Sequence, residues 1–228
     1  MVFETGWLAK QAAGSVLVTY DNSAVLATCQ NAAPRPGTDF FPMTIEYREK
    51  TGAAGKIPGG FFKREGRPTE KEVLSSRQID RPIRPLFSKH FPYETQIMAT
   101  VVSSDQENDA DVLALIGASV AINLSDIPFP EPIGAVRVGR LDGQFVVNPT
   151  FEQLDASDMD MVVAGTADNL IMVEGGTREI SENDLIAALE FAMSNIREIV
   201  AIQRDLVKRA GKPKRPRATG VSPCNPLR

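Results

Sequence analysis

The stretch Gly59–Phe87, G-G-F-F-K-R-E-G-R-P-T-E-K-E-V-L-S-S-R-Q-I-D-R-P-I-R-P-L-F, holds the residues best suited by type and spacing to do chemistry. Two glycines release the backbone, and Phe61 and Phe62 follow with no apolar alternation that would bury both rings. Consecutive side chains in an extended loop point opposite ways, so at least one ring is expected to be reachable. Lys63, Arg64 and Arg67 stand beside them. An exposed aromatic among cations is what a groove for single-stranded nucleic acid needs. Each base stacked on a ring contributes about 1–3 kcal/mol, while the cations follow the phosphates.

A helix start follows directly. Thr69 with Glu72 three residues on fits a capping box. Val73, Leu74 and Ile79 are expected to face inward, and Arg77, Arg81 and Arg84 to share one side, with Pro82 ending the regular helix by Asp80 or Arg81. Phe61 to Lys89 holds eight cations against four anions, a local +4 in a chain of formal charge −4. A solvated charged helix behind a surface loop explains any one of these residues; the whole constellation favours a nucleic-acid groove. Residues 208–228 hold seven Lys or Arg and no acid, so the body before them is −11, from 18 basic and 29 acidic residues. Such a body would repel nucleic acid unless its cations were focused in one cleft.

Composition excludes other classes. His90 is the only histidine, in an expected surface loop, which removes histidine-based triads and clustered zinc sites. Cys29 lies in a strand-like run and Cys224 in the tail, so no disulfide framework is implied and a reducing cytoplasm suits the chain. The opening residues lack an apolar signal segment, and no run approaches membrane-spanning length.

The same residues carry a family resemblance. G-G-F-F-K-R-E-G-R-P-T-E-K-E and S-R-Q-I-D-R-P-I-R-P-L-F resemble the first RNase PH-like half of bacterial polynucleotide phosphorylase. So do D-F-F-P-M-T-I-E-Y-R-E-K, A-A-G-K-I-P-G-G, I-G-A-S-V-A-I-N-L-S-D-I-P-F, P-I-G-A-V-R-V-G and V-V-A-G-T, in the same order from about Phe3 to Pro213. The resemblance implies an α/β (α+β) RNase PH-like fold with mixed sheets packed against helices and a left-handed βαβ crossover, against the usual hand. It implies phosphorolytic removal of nucleotides from the 3′ end of RNA in mRNA degradation, inorganic phosphate in and nucleoside diphosphates out. It further implies a homotrimer and, in some bacteria, RNA-degradosome partners. Mg²⁺ and the recognised active site belong to the family's second core half.

Two family sites can be compared with this chain. Where the catalytic half has a Gly/Ser-rich phosphate loop before a helix, this chain reads Gln106-Glu107-Asn108-Asp109-Ala110-Asp111. Three carboxylates at a helix N-terminus stabilise the helix and repel phosphate. Where the catalytic half has two aspartates six apart and a lysine two further on, this chain has Leu154, Asp160 and Val162. Asp160 is thus a possible relic at best, with Asp155 or Asp158 as substitute ligands in the alternative reading, and no metal is expected in this half. The expected role is RNA binding through Phe61, Phe62, Lys63, Arg64 and Arg67, with Arg77, Arg81 and Arg84 as backbone contacts. The alternatives are a self-sufficient exonuclease and a purely structural module.

The elements that must position these residues read as follows. Ser15–Tyr20 and Ala24–Gln30 form a hairpin around Asp21-Asn22-Ser23. The chain begins where the family's early strand ends, so an uncovered sheet edge and a partial gene are expected. Pro34 to Asp39 is a loop, Met43–Tyr47 a strand, and Arg48 to Pro58 a flexible Gly/Ala-rich run. Thr95–Ser104 is a strand, and Asp109–Leu124 a central helix, apolar on most sides. Ala135–Leu141 and Gln144–Val147 flank Asp142-Gly143, a strong hairpin signal. Met159–Gly165 and Leu170–Glu174 pair around Asp168-Asn169. Ser181 caps a helix to about Arg209, with Leu185, Leu189, Ala192, Ile196, Ile199 and Ile202 as its core stripe. One domain, 1–207, is expected. Residues 208–228 form a basic, proline-rich tail expected to be disordered, with RNA gripping as its alternative.

Overall fold

The computed structural model describes residues 1–33, 41–61, 64–88, 91 and 93–216. Phe62, Lys63, His90, Cys224 and the expected loop from Pro34 lie outside them.

Alternation of apolar and polar residues builds the first sheet. Strands β1 (Val2–Glu4), β2 (Gly14–Tyr20), β3 (Ser23–Ala32), β4 (Met43–Glu49) and β5 (Glu94–Ser103) lie in the order β1-β2-β3-β5-β4. Asp21 at φ +48° closes the β2–β3 hairpin. Strand β1 covers β2 at the edge, and β4 runs parallel to β5 while the other pairs are antiparallel. Helix α1 (Glu70–Ile83) makes the β4-to-β5 crossover for which the resemblance implies a left hand. Between β4 and α1, the run expected to be flexible continues the strand to Glu49 and then coils into a 3-10 turn, Thr51–Ala54.

Helix α2 (Asp111–Leu124) is buried at all 14 positions, as its all-round apolar composition requires. Gly14 lets β2 approach it: a Cβ there would lie 2.0 Å from the Ala121 carbonyl oxygen. The second sheet, β7-β6-β8-β9, holds β6 (Gly134–Leu141), β7 (Gln144–Val147), β8 (Met159–Gly165) and β9 (Leu170–Thr177), all antiparallel. Asp142 and Gly143, at φ +48° and +78°, supply the left-handed turn of the β6–β7 hairpin. Helix α3 (Phe151–Ala156) was not expected, although Thr150 and Gln153 form a full capping box.

Helix α4 (Glu182–Ala210), capped by Ser181, covers this sheet. Its buried face is Ala188, Ala192, Ile196, Val200 and Gln203; of the expected stripe Ala192 and Ile196 lie in it, Leu185, Leu189 and Ile199 pack against it partly buried, and Ile202 is left 51% exposed. Gln203 is buried because it is fully used. It accepts from the Ser119 hydroxyl (3.0 Å) and donates to the Ile133 carbonyl (2.8 Å), whose own N–H donates to Ser119 Oγ (2.8 Å).

Two further expectations are corrected. Pro82 does not end α1 at Asp80 or Arg81. Its missing N–H costs one bond, but the helix runs to Ile83 with Pro82 buried, and Arg84 N–H still reaches the Asp80 carbonyl. The tail expected from residue 208 is helical to Ala210 and then docks on the C-terminus of α2. Lys212 N–H donates to Leu124 O (2.9 Å), and the Lys214 ammonium donates to the carbonyls of Ile122, Asn123 and Ser125 at 2.8–3.0 Å. Those carbonyls lie at the C-terminal end of α2, where the helix dipole favours a cation; Ile122 O also accepts from the Ser125 N–H and hydroxyl. Arg215 pairs with Asp126 at 2.6 Å. Residues 217–228 lie outside the described residues.

Candidate RNA-binding loop and acidic cleft

The loop 58–67 is anchored by one acid. Glu65 accepts from the Thr51 N–H (2.9 Å) and hydroxyl (3.1 Å) and pairs with Lys50 (2.6 Å). Lys50, first, and Thr51 hold its carboxyl below the ordinary range. Downstream, the Thr69 side chain takes the Glu72 N–H while Glu72, buried, takes the Thr69 N–H at 2.6 Å and the Glu49 N–H at 2.9 Å. Between these anchors Phe61 is 93% exposed, and Arg64 and Arg67 are exposed with no ion pair among the described residues. Phe62 and Lys63 fall outside the described residues.

On α1 the three arginines do not act as one group. Arg77 is exposed without an ion pair among the described residues, Arg81 pairs with Glu174 of β9 at 2.8 Å, and Arg84 is held by both Asp80 oxygens and donates to the Met43 carbonyl. Val73 and Leu74 are 47% and 58% exposed rather than inward, because Glu72, Ser75, Ile79, Pro82 and Ile83 take the buried face.

Asp160 does not stand alone at a strand end. Arg137 of β6 spans it and the start of α2, one terminal nitrogen 2.6 Å from Asp160 Oδ1 and the other 2.6 Å from Asp111 Oδ2, with Asp109 at 3.5 Å. Arg137 pairs with Val162 across the sheet and Asp160 with Gly139, so the two lie diagonally on one face. Lys71 of α1 closes the group from Asp109 (3.1 Å) and Glu49 (2.8 Å). Burial, first, and Asp109 push the Asp111 carboxyl up, against the lowering by Arg137. Burial works against the Arg137 cation, and Asp111, Asp160 and Asp109 outweigh it and raise it. Of the alternative ligands, Asp158 is spoken for by Arg140 at 2.6 Å, and Asp155 is exposed on α3.

These residues line a cleft of ≈ 480 Å³. Its walls carry five acids (Glu70, Asp109, Asp111, Asp160, Glu174) and two cations (Lys71, Arg137), net −3 with every carboxylate ionised. Phosphate would be repelled, as the sequence around Asp109 leads one to expect. The Arg137 guanidinium takes one oxygen each from Asp111 and Asp160. Reading the sequence alone missed Arg137 and Lys71; the signal for the first is a lone cation in the apolar run A-V-R-V-G.

A model of the 3′ exoribonuclease family, domain 1, matches residues 1–128, and one of its domain 2 matches residues 131–195. The polyribonucleotide nucleotidyltransferase of Heliobacterium modesticaldum is 56% identical over 216 residues, 94% of this chain and 30% of that protein. That of Geobacter sulfurreducens is 57% identical over 212 residues, 92% of this chain and 30% of the relative. The chain thus spans about 30% of the length of these curated relatives. Among solved structures, rice (Oryza sativa) Rrp46 superposes with a TM-score of 0.73 at 14% identity, covering 90% of this chain and 93% of that one, a likeness of fold alone. Among the described residues no helix is long and apolar enough to cross a membrane. With both family domains matched in order along it, this chain belongs to the 3′ exoribonuclease family and has the RNase PH-like fold, in the form of the first such half of bacterial polynucleotide phosphorylase.

Proposed function

We propose that this chain is the RNA-gripping, ring-forming half of a phosphorolytic 3′-to-5′ exoribonuclease of mRNA degradation in the cytoplasm, and that it performs no phosphorolysis itself. The observation that carries the proposal is Phe61, 93% exposed on a loop whose Arg64 and Arg67 have no ion pair among the described residues. A ring offers a stacking surface and the arginines offer charge to the phosphates. Mg²⁺, phosphate and nucleoside diphosphates belong on this reading to the second core half. Support comes from the net charge of the cleft and from Arg137 sitting among its acids. The self-sufficient exonuclease reading requires Arg77, Arg81, Arg84 and Asp160 to act on substrate; Arg81, Arg84 and Asp160 are engaged within the chain, which leaves it Arg77. For assembly into a homotrimer, the exposed Val73 and Leu74 of α1 are apolar surface that a neighbouring subunit would cover.

Fluorescence anisotropy with a labelled oligoadenylate tests the grip. The Phe61→Ala variant should bind more weakly by about 1–3 kcal/mol, roughly 5- to 150-fold. Unchanged affinity would refute the stacking role. Incubating the chain with poly(A), phosphate and Mg²⁺ should release no ADP; steady release would refute the non-catalytic assignment.

A further inference from the structure

A second groove, of ≈ 520 Å³, opens under the loop between its arginines and strands β4 and β5. Side-chain alternation aims Glu46 and Arg48 of β4, and Met98 and Thr100 of β5, to the face opposite the buried Tyr47 and Ala99. Register places Arg48 beside Thr100 and Glu46 beside Met98. Met98 is 38% exposed there.

The groove is lined by four acids and four cations, but the two sets are not equally available. Glu65 and Lys50 satisfy each other at 2.6 Å, and Glu49 is taken by Lys71 at 2.8 Å and the Tyr47 hydroxyl at 2.7 Å. Glu72 is sunk in backbone N–H bonds, 7% exposed. Arg48, Arg64 and Arg67 remain without an ion pair among the described residues and outnumber Glu46 and Glu72. The lining is formally neutral, but three arginines without an ion pair among the described residues stand in it next to the exposed aromatic, whereas the cleft at Arg137 is net −3. Such local focusing selects a polyanion and orients it.

We infer that the RNA path continues from the loop across the open face of β4, where Arg48 holds a backbone phosphate of single-stranded RNA and Met98 forms an apolar shelf for a base. The inference rests on the RNA-gripping reading of the loop and adds a site on rigid sheet to it. Arg48 is partly buried on an edge strand and lines the groove.

The test titrates a labelled oligoadenylate against the 228-residue chain over a series of salt concentrations. Arg48→Gln should weaken binding about tenfold at low salt and flatten the slope of log K against log salt by about 0.7. Arg48→Lys, which keeps the charge, should restore the slope and guards against a folding defect in the first variant. Should Arg48→Gln, folded by circular dichroism, match the parent in affinity and slope while Phe61→Ala is weakened, the path does not cross β4 and the inference fails with the loop intact. Should both variants bind as the parent does, the loop reading fails too.

Discussion

Arg137→Met is the perturbation with the clearest expected size. The substitution removes a cation whose side chain is 13% exposed from between Asp111, 6% exposed, and Asp160, 49% exposed. Breaking a buried pair by deleting one partner costs about 3–5 kcal/mol, because the remaining charge has neither water nor counter-ion. The Asp160 arm is half in solvent and contributes less than about 1 kcal/mol. A loss near 3 kcal/mol corresponds to about 6–12 °C in Tm for a chain of this size. The sign with pH follows from Asp111. Burial already pushes its carboxyl up; Arg137 and the Val112 N–H, each at 2.6 Å, oppose that, so losing Arg137 lets the variant's carboxyl rise further. A carboxyl raised by folding binds a proton more readily in the native state, so the deficit should be large at pH 7 and shrink at pH 5. Thermal melts followed by circular dichroism at both values measure it. Arg137→Met with Asp111→Asn should recover most of the loss. A deficit below about 1 kcal/mol, equal at the two pH values and unchanged in the double variant, would refute the idea of a buried ionic clamp.

Other expectations are more local. Gly14→Ala would drive a methyl into the Ala121 carbonyl at 2.0 Å and should cost about 1–3 kcal/mol in urea denaturation, more than Gly143→Ala can through crowding, since nothing lies near a Cβ at that position. Glu72→Ala removes the acceptor of the Thr69 N–H in the α1 capping box and of the Glu49 N–H of β4, and should cost about 0.5–2 kcal/mol by the same measurement. Burial, the largest single influence, pushes the Asp105 carboxyl up, but together the Asn108 and Glu107 N–H groups and the Asn108 amide that it accepts from hold it down to about 2. Its pKa is lowered on folding, so its contribution is full above about pH 4 and is lost between there and pH 2; Asp105→Asn should lower Tm at pH 6 and have little effect at pH 2. Lys214→Met should loosen Gly211–Arg215 from α2, read as faster amide exchange at Lys212 and Arg215 and a small fall in Tm.

Much of the architecture was legible where one local rule dominated. Alternation located the β2–β3 and β6–β7 hairpins to within a residue or two, since Asp142-Gly143 admits few backbones other than the left-handed turn. All-round apolarity made α2 central. Elements decided by partners far along the chain were not legible. Val73 and Leu74 look like core until Ser75 and Pro82 are seen to occupy the face toward the sheet. Lys214 looks like tail until the carbonyls of Ile122, Asn123 and Ser125 at the end of α2 lie beside it. Of the sites, the exposed Phe61 was readable from residue type alone. The clamp on Asp160 was not, because it joins β6, β8, α1 and the start of α2, and spacing within any one of them is silent about the others.

The hydrogen-bonded triangle of Ser119, Ile133 and Gln203 has a dynamic consequence. It joins the last helix to the middle of the chain at the point where the two matched family regions, 1–128 and 131–195, meet. Sliding α4 by a single residue would strand an amide and a hydroxyl away from water, which makes any hinge at that seam costly. The two sheets should therefore open together or not at all, and slow proton exchange at Ile133 N–H should track global unfolding rather than a local breathing motion.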